Sequence, residues 1–141
     1  MLVNRRMVEI VWGDCDPAGI VYYPRYFEMF DAATTSLFDR ALGMKKIAWT
    51  KAYGIVGIPM VETGARFIAP SRYGDTVEIE TQVTELGRAS FHVAHRLTKN
   101  GALAAEASEK RVWVGRDPAD PERLTGVEIP AEVRKRLCRE A

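Results

Sequence analysis

Residues 13–33 read GDCDPAGIVYYPRYFEMFDAA, and the change of pattern inside this stretch decides the fold. Gly13 to Gly19 crowd Gly, Asp and Pro together, residues that favour turns over regular ladders, so an irregular loop is expected there. From Pro24 the spacing becomes helical, with Tyr26, Phe27, Phe30, Ala33, Leu37 and Ala41 along one face as far as Gly43. Pro24 suits the first helical position and Gly43 the cap. Apolar and aromatic residues cover most of this helix's circumference, so it is expected to be largely enclosed by the rest of the chain.

Upstream of the loop, residues 3–12 (VNRRMVEIVW) alternate loosely, with Val8, Ile10 and Trp12 on one face, as in a half-buried strand. A second, shorter helix is expected over Lys45 to Tyr53. Downstream come four extended runs: IPMVETGARFIAP, DTVEIETQVTELG, ASFHVAHRLTK and ALAAEASEKRVWVG. They are separated by the turn signals SRYGD at 71–75, LGR at 86–88 and Asn100-Gly101, the last a strong two-residue hairpin signal. Connections this short predict an antiparallel meander, because parallel pairing needs a long crossover. GRDPADPERLTG at 115–126 reads as a loop, and Pro130 in IPAEVRKRLCREA is suited to opening a terminal helix. The expected architecture is α+β, a five-stranded antiparallel sheet wrapped around one long helix, with residues 1–141 forming a single domain. Open sheet edges and leftover apolar surface favour edge-to-edge association into a homo-oligomer.

Composition narrows the function. The 141 residues carry a formal net charge of +1, which supplies no large field for steering a polyanion, so nucleic acid is not an expected partner. Charged residues interrupt every hydrophobic run well before the roughly 20 residues that a membrane span needs. MLVNRRMVEIVW lacks the apolar core and cleavage site of an export signal, and a cytoplasmic protein is expected. Cys15 and Cys138 lie too far apart in sequence to suggest a disulfide scaffold or a metal cluster. His92 and His95 sit three apart on an expected strand, so they face opposite ways and cannot chelate one ion. Each is expected to be structural or at the surface.

Asp14 and Asp16 stand at the foot of the apolar helix. An aspartate in a Gly/Pro loop most often caps a turn, and either residue fits that role. A carboxylate beside an apolar segment can also serve as a nucleophile or a general base.

The segment WGDCDPAGIVYYPRYFEMFDAA resembles the signature of the 4-hydroxybenzoyl-CoA thioesterase family, in which an Asp-containing loop precedes the long helix of a hotdog fold. GIVGIPMVETGARFIAPSRYGDTVEIET and RASFHVAHRL also resemble that family's sheet strands, so the likeness covers most of residues 7–114. The resemblance implies a hotdog fold, dimers that pair into tetramers, active sites at the dimer interface, and hydrolysis of an acyl-CoA thioester to the free acid and coenzyme A. It implies no metal and no cofactor.

Residue by residue, the resemblance gives Asp16 the role of nucleophile or general base and leaves Asp14 to structure the loop. The backbone N–H of Tyr23, at the positive end of the helix dipole, would polarise the thioester oxygen. Gly19 would let the loop turn tightly enough to bring that N–H and Asp16 to one carbonyl. Asp31 would lie near the distal end of an aromatic acyl pocket, to which Tyr22, Trp49 and Phe67 would add walls; all four fit a purely structural reading as well. Coenzyme A phosphates need basic residues at the pocket mouth. Arg88, beside Ser90, is the first choice, with Arg72 and Arg111 weaker, although the family is more basic where this chain has Gly87 and Ala89. The expected substrate is an aryl-CoA, 4-hydroxybenzoyl-CoA or a close relative. Short or branched aliphatic acyl-CoAs are the enzymatic alternative, and a non-catalytic acyl-CoA-binding hotdog protein is a third. A hotdog dehydratase would carry a loop histidine, and neither histidine here lies near the loop.

Overall fold

The computed structural model describes residues 1–139; Glu140 and Ala141, the end of the tail read as a terminal helix, lie outside the described residues. Strand β1 (Val3–Glu9) is followed by a single 3-10 turn at Trp12–Asp14, helix α1 (Pro24–Leu42) and helix α2 (Lys46–Ala52). Strands β2 (Met60–Phe67), β3 (Thr76–Leu86), β4 (Ser90–Lys99) and β5 (Ala102–Val112) complete an antiparallel sheet. A short hairpin of β6 (Val114–Arg116) and β7 (Leu124–Gly126) and helix α3 (Ala131–Cys138) follow.

Helix α1 begins and ends where the punctuation residues place it. Pro24 occupies the first turn, and Gly43 closes the helix in the left-handed conformation at φ 70°, its N–H bonded to the Asp39 carbonyl at 2.9 Å. The Asn100-Gly101 turn carries positive φ at both residues, 52° and 81°, as a type I′ hairpin requires.

The sheet order is β1-β3-β4-β5-β2. Only β3, β4 and β5 form the expected meander. Strand β2 lies at the far edge beside β5, with Gly64 opposite Ser108, so it is not a neighbour of β3. Residues 71–75, read as a simple turn, and residues 68–70, read as the end of a strand, instead carry the chain across from the β2 edge to β3. On the way they bond to the loop preceding α1, through Val21 N–H to the Ser71 carbonyl at 2.9 Å and Gly74 N–H to the Ile10 carbonyl at 2.9 Å.

Two further expectations are corrected and a third is qualified. Trp12 is exposed because β1 stops at Glu9 and the chain turns into the 3-10 segment. The run ending in VWVG breaks at Trp113, and residues 115–126 return as β7 to pair with β6, a hairpin concealed by its Asp- and Pro-rich tip. The third concerns α1, which is enclosed over most of its circumference by the sheet and by α2 and α3 but keeps one narrow outward stripe, with Arg25, Glu28, Asp31 and Arg40 exposed.

Along β3, β4 and β5 the odd-numbered residues point at α1. Val77, Ile79, Val83, Phe91, Val93, Leu97, Ala105 and Ala107 bury against the helix in two apolar clusters. One surrounds Trp49 and Trp113, toward the C-terminal half of α1, and the other surrounds Ile10, Tyr26 and Phe30, toward its N-terminal half.

Candidate active site

The loop of residues 10–23 is tied at both feet. The Oδ2 atom of Asp14 accepts the N–H of Val11 at 3.0 Å, while its carbonyl accepts the N–H of Tyr22 at 2.8 Å. Asp14 thus holds the entry and exit of the loop together, in keeping with a structural role. Between them Asp16 N–H donates to the Ile20 carbonyl at 2.9 Å, and Gly19 N–H donates to the Asp16 carbonyl at 2.9 Å. Gly19 has φ 79°, and nothing lies within 4 Å of where its Cβ would stand. Glycine is needed there for the backbone conformation, not for space. The Oδ1 atom of Asp16 accepts the N–H of Ala18 at 2.8 Å, an Asx-type turn that fixes one carboxylate oxygen and leaves Oδ2 available.

At the start of α1 the supply of free donors is reduced to one. Pro24 has no N–H, Arg25 N–H is taken by the Tyr22 carbonyl at 2.9 Å, and Tyr26 N–H by the Tyr23 carbonyl at 3.1 Å. Among the described residues nothing accepts the N–H of Tyr23. It stands at the positive end of a 19-residue helix, where a developing oxyanion is favoured. Beside it lies an apolar cleft of about 400 Å³, lined by Ile20, Val21, Tyr23, Tyr26 and residues 67–70. The Tyr26 hydroxyl accepts the N–H of Ser71 at 3.3 Å, which locks the crossing segment against the helix. A carboxylate loop, an unused N–H and an apolar cleft therefore adjoin one another within a single chain.

The other expected site residues distribute unevenly. Phe67 joins this cleft, its ring 5.1 Å from that of Tyr26. Tyr22 points outward and packs edge-on against Tyr23 at 5.6 Å, outside the cleft lining. Trp49 has no exposed surface; it stacks with Trp113 and donates Nε1–H to Asp39, so it offers no wall to a ligand. Arg72 lies next to the loop, paired with Ile20 in a single β-bridge. Arg88 and Ser90 flank the β3–β4 turn, at the opposite end of β3 from Asp75, which touches the loop. The 11 residues of β3 separate the two places by roughly 35 Å. The fold of a single chain does not bring Arg88 and Asp16 together.

Asp31 opens on a second cleft of about 340 Å³, lined by residues that include Lys46, Ile58, Met60, Arg111 and Leu124. Arg111 is not free to hold a phosphate: Nη2 donates to Asp31 Oδ1 at 2.8 Å, Nε to Glu109 Oε1 at 2.8 Å and Nη1 to the Ile58 carbonyl at 2.9 Å. Behind it lies a polar group placed between the two apolar clusters. Glu109 Oε1 accepts the Thr34 hydroxyl at 2.7 Å, Glu109 Oε2 meets His95 Nε2 at 3.0 Å, and His95 Nδ1 meets the Thr81 hydroxyl at 2.8 Å. Burial pushes the Glu109 carboxyl up, but hydrogen bonds from His95 and Arg111 and the nearby charge outweigh it and hold the group at about 2. Sequence reading passes over this network. The available signal is parity, since Thr81, His95, Glu109 and Arg111 occupy the inward, odd-numbered positions that are otherwise apolar. Among the described residues no cluster of three or more His, Cys, Asp or Glu is arranged to hold a metal ion, and no helix is long and apolar enough to cross a membrane.

This fold and loop have relatives. The family model described as the thioesterase-like superfamily matches residues 10–137. The 4-hydroxybenzoyl-CoA thioesterase of Pseudomonas sp. strain CBS-3 is 40% identical over 129 residues, 87% of this chain and 89% of that one. Its solved structure superposes with a TM-score of 0.85, covering 95% of this chain and 98% of the other at 35% identity. The 1,4-dihydroxy-2-naphthoyl-CoA hydrolase of Synechococcus elongatus is 35% identical over 98 residues, 70% of this chain and 71% of that one. The one-helix, five-strand architecture, the loop that leads into α1 and these likenesses together make the chain a member of the hotdog-fold thioesterase-like superfamily, in its 4-hydroxybenzoyl-CoA thioesterase family, and a hydrolase of acyl-CoA thioesters.

Proposed function

We propose that the chain, as one hotdog unit, hydrolyses a hydroxylated aryl-CoA, 4-hydroxybenzoyl-CoA or a close relative, in the cytoplasm, as a homodimer or dimer of dimers. The observation that carries this reading is the unused N–H of Tyr23 beside the Asp16 loop and the apolar cleft. The two curated relatives support the aryl substrate, since both are named for acyl groups bearing a ring hydroxyl.

In the proposed reaction the aryl group enters the cleft and the thioester oxygen receives the Tyr23 N–H. Attack on the carbonyl carbon places negative charge on that oxygen, where the fixed donor and the helix dipole stabilise it. Asp16 serves by one of two routes. Its Oδ2 attacks directly, the C–S bond breaks, coenzyme A leaves as the thiolate, and water then hydrolyses the mixed anhydride. Alternatively Oδ2 takes a proton from water, whose oxygen attacks, and the proton passes to the leaving sulfur. The bond from Ala18 N–H to Oδ1 orients the carboxylate in either case.

The second copy has a specific part. Among the described residues β2 pairs only with β5, and its other edge is exposed along nearly its whole length. The Tyr23 cleft adjoins its Phe67 end and the Asp31 cleft its Met60 end. Two copies joined antiparallel along this edge by a two-fold axis set the Met60 end of one beside the Phe67 end of the other. Asp31 of one copy then faces the reacting centre of the other, and Arg88 and Ser90 of a neighbouring copy become available to coenzyme A. Sedimentation is expected to give a dimer or tetramer; a monomer at working concentration contradicts the composite site.

The test of substrate and mechanism is kcat/KM for 4-hydroxybenzoyl-CoA, benzoyl-CoA, phenylacetyl-CoA and butyryl-CoA, with Asp16→Asn alongside. Aryl thioesters are expected to lead, and Asp16→Asn to lose several orders of magnitude on all. A lead for butyryl-CoA with Asp16→Asn inactive transfers the same mechanism to an aliphatic substrate; an active Asp16→Asn removes Asp16 from it.

A further inference from the structure

The line of buried polar groups reaches the surface at one acidic side chain. Thr34 and Thr81 are 0% exposed, His95 1%, Glu109 2% and Arg111 3%, whereas the side chain of Asp31 is 59% exposed. Net stability does not by itself account for such an arrangement, because a buried charge pair is often replaced by apolar residues of similar volume at no loss. Orientation does. The Arg111 guanidinium is engaged on three sides, by Glu109, by the Ile58 carbonyl and by Asp31. Glu109 is itself fixed by Thr34 and His95. A planar donor held in this way dictates the plane of the carboxylate it grips. Only Oδ1 of Asp31 is bonded, so Oδ2 remains an unused acceptor on a side chain that lines the second cleft.

We propose that Arg111, braced by Glu109, is the positioning residue for acyl-group specificity: it pins Asp31 so that the free oxygen accepts a hydrogen bond from a ring hydroxyl of the substrate. This rests on the aryl-CoA reading above, in which the family resemblance already places Asp31 at the distal end of the acyl pocket, and adds to it Arg111 and Glu109 as the groups that fix the direction of Asp31. Arg111 touches no substrate atom in this role. Its effect passes through Asp31, which is free to rotate once the guanidinium no longer holds Oδ1.

The experiment compares kcat/KM for 4-hydroxybenzoyl-CoA and benzoyl-CoA in the wild type, Arg111→Lys, Glu109→Gln, Asp31→Ala and Arg111→Lys/Asp31→Ala. Lysine keeps the positive charge beside Glu109 but cannot span three acceptors. The preference for the hydroxylated substrate is expected to fall roughly tenfold in Arg111→Lys and in Asp31→Ala, the loss of about one charge-assisted hydrogen bond. In the Asp31→Ala background Arg111→Lys is expected to leave that preference unchanged. An equal fall for both substrates, or the same shift with Asp31 absent, overturns the proposal by showing a merely structural Arg111.

A measurement on the wild type covers variants that do not fold. The Arg111 Nε–H resonance is expected to move on titration with 4-hydroxybenzoate and to stay put with benzoate; equal movement with both acids overturns the proposal. If the wild type cleaves neither aryl thioester, the aryl reading falls and takes this inference with it. If it cleaves both and Arg111→Lys leaves their ratio intact, only this inference falls.

Discussion

Trp49 donates its indole N–H to Oδ1 of Asp39 across 2.8 Å, from a ring that has no solvent exposure and stacks on Trp113. The bond joins α2 to the last turn of α1, and it makes Trp49 a support for the core. Trp49→Phe removes the donor and part of the ring volume, so the unfolding free energy is expected to drop by about 1–3 kcal/mol. The ratio of aryl to aliphatic kcat/KM is expected to stay at the wild-type value. Denaturant titration and the substrate series check the two halves; a changed ratio returns Trp49 to the acyl pocket.

Gly19→Ala isolates backbone conformation from steric fit, because its Cβ would meet nothing within 4 Å while φ stays at 79°. The left-handed conformation costs a non-glycine residue about 1–2 kcal/mol. Relief of that strain shifts the Asp16 tip, and kcat is expected to fall by about 10²-fold with KM less affected. Unchanged kcat shows that the loop accepts alanine without moving Asp16.

Tyr23 provides the converse test, since the proposed donor is main chain. Tyr23→Phe and Tyr23→Ala are expected to hold kcat near wild type, while the alanine variant raises KM by opening the cleft wall that Tyr23 contributes. Loss of one oxyanion donor costs about 10²–10³ in kcat; a loss of that size in Tyr23→Phe assigns the role to the hydroxyl instead.

Glu109 is held at about 2, below its ordinary 4.5. A carboxyl lowered on folding contributes stability that is fully present above the ordinary value and is lost as pH falls toward the folded one. Wild-type unfolding free energy is therefore expected to decline as pH drops from about 4.5 to about 2, and Glu109→Gln to give a flatter curve there and a less stable protein at neutral pH. Denaturant titrations across that window decide it; parallel curves place the acid sensitivity elsewhere.

Helix α1 is legible in the sequence because Pro24 and Gly43 punctuate it and because Phe30, Ala33, Leu37 and Ala41 repeat at its period. The Asn100-Gly101 turn is legible for the same local reason. The place of β2 is not, since no residue between Phe67 and Thr76 states whether the chain turns back or crosses over, and the deciding contacts lie far away at Ser108 and Ala105. In the candidate site the Asp14 and Asp16 bonds are local, and the spacing of the loop carries them. The engagement of Arg111 is only partly local, because beside Glu109 on its own strand two of its three partners are contributed by α1 and the segment before β2. Arg111 consequently reads as a free cation, and His95 as an isolated ring, until the sheet brings Thr81 and Glu109, and α1 brings Thr34, around it.

The sheet order bears on how the chain folds. The two hairpins β3–β4 and β4–β5 pair residues close in sequence, whereas β1 must wait for β3, with Val3 opposite Gln82, and β2 must find β5 across the whole meander, with Gly64 opposite Ser108. Loop-closure entropy opposes both late pairings before their contacts reward them. Kinetically, the meander is the expected nucleus, with high φ-values around the Asn100-Gly101 turn, and β2 the strand that docks late. The strand proposed to join two copies would thus be among the last to form, and assembly would follow its docking closely.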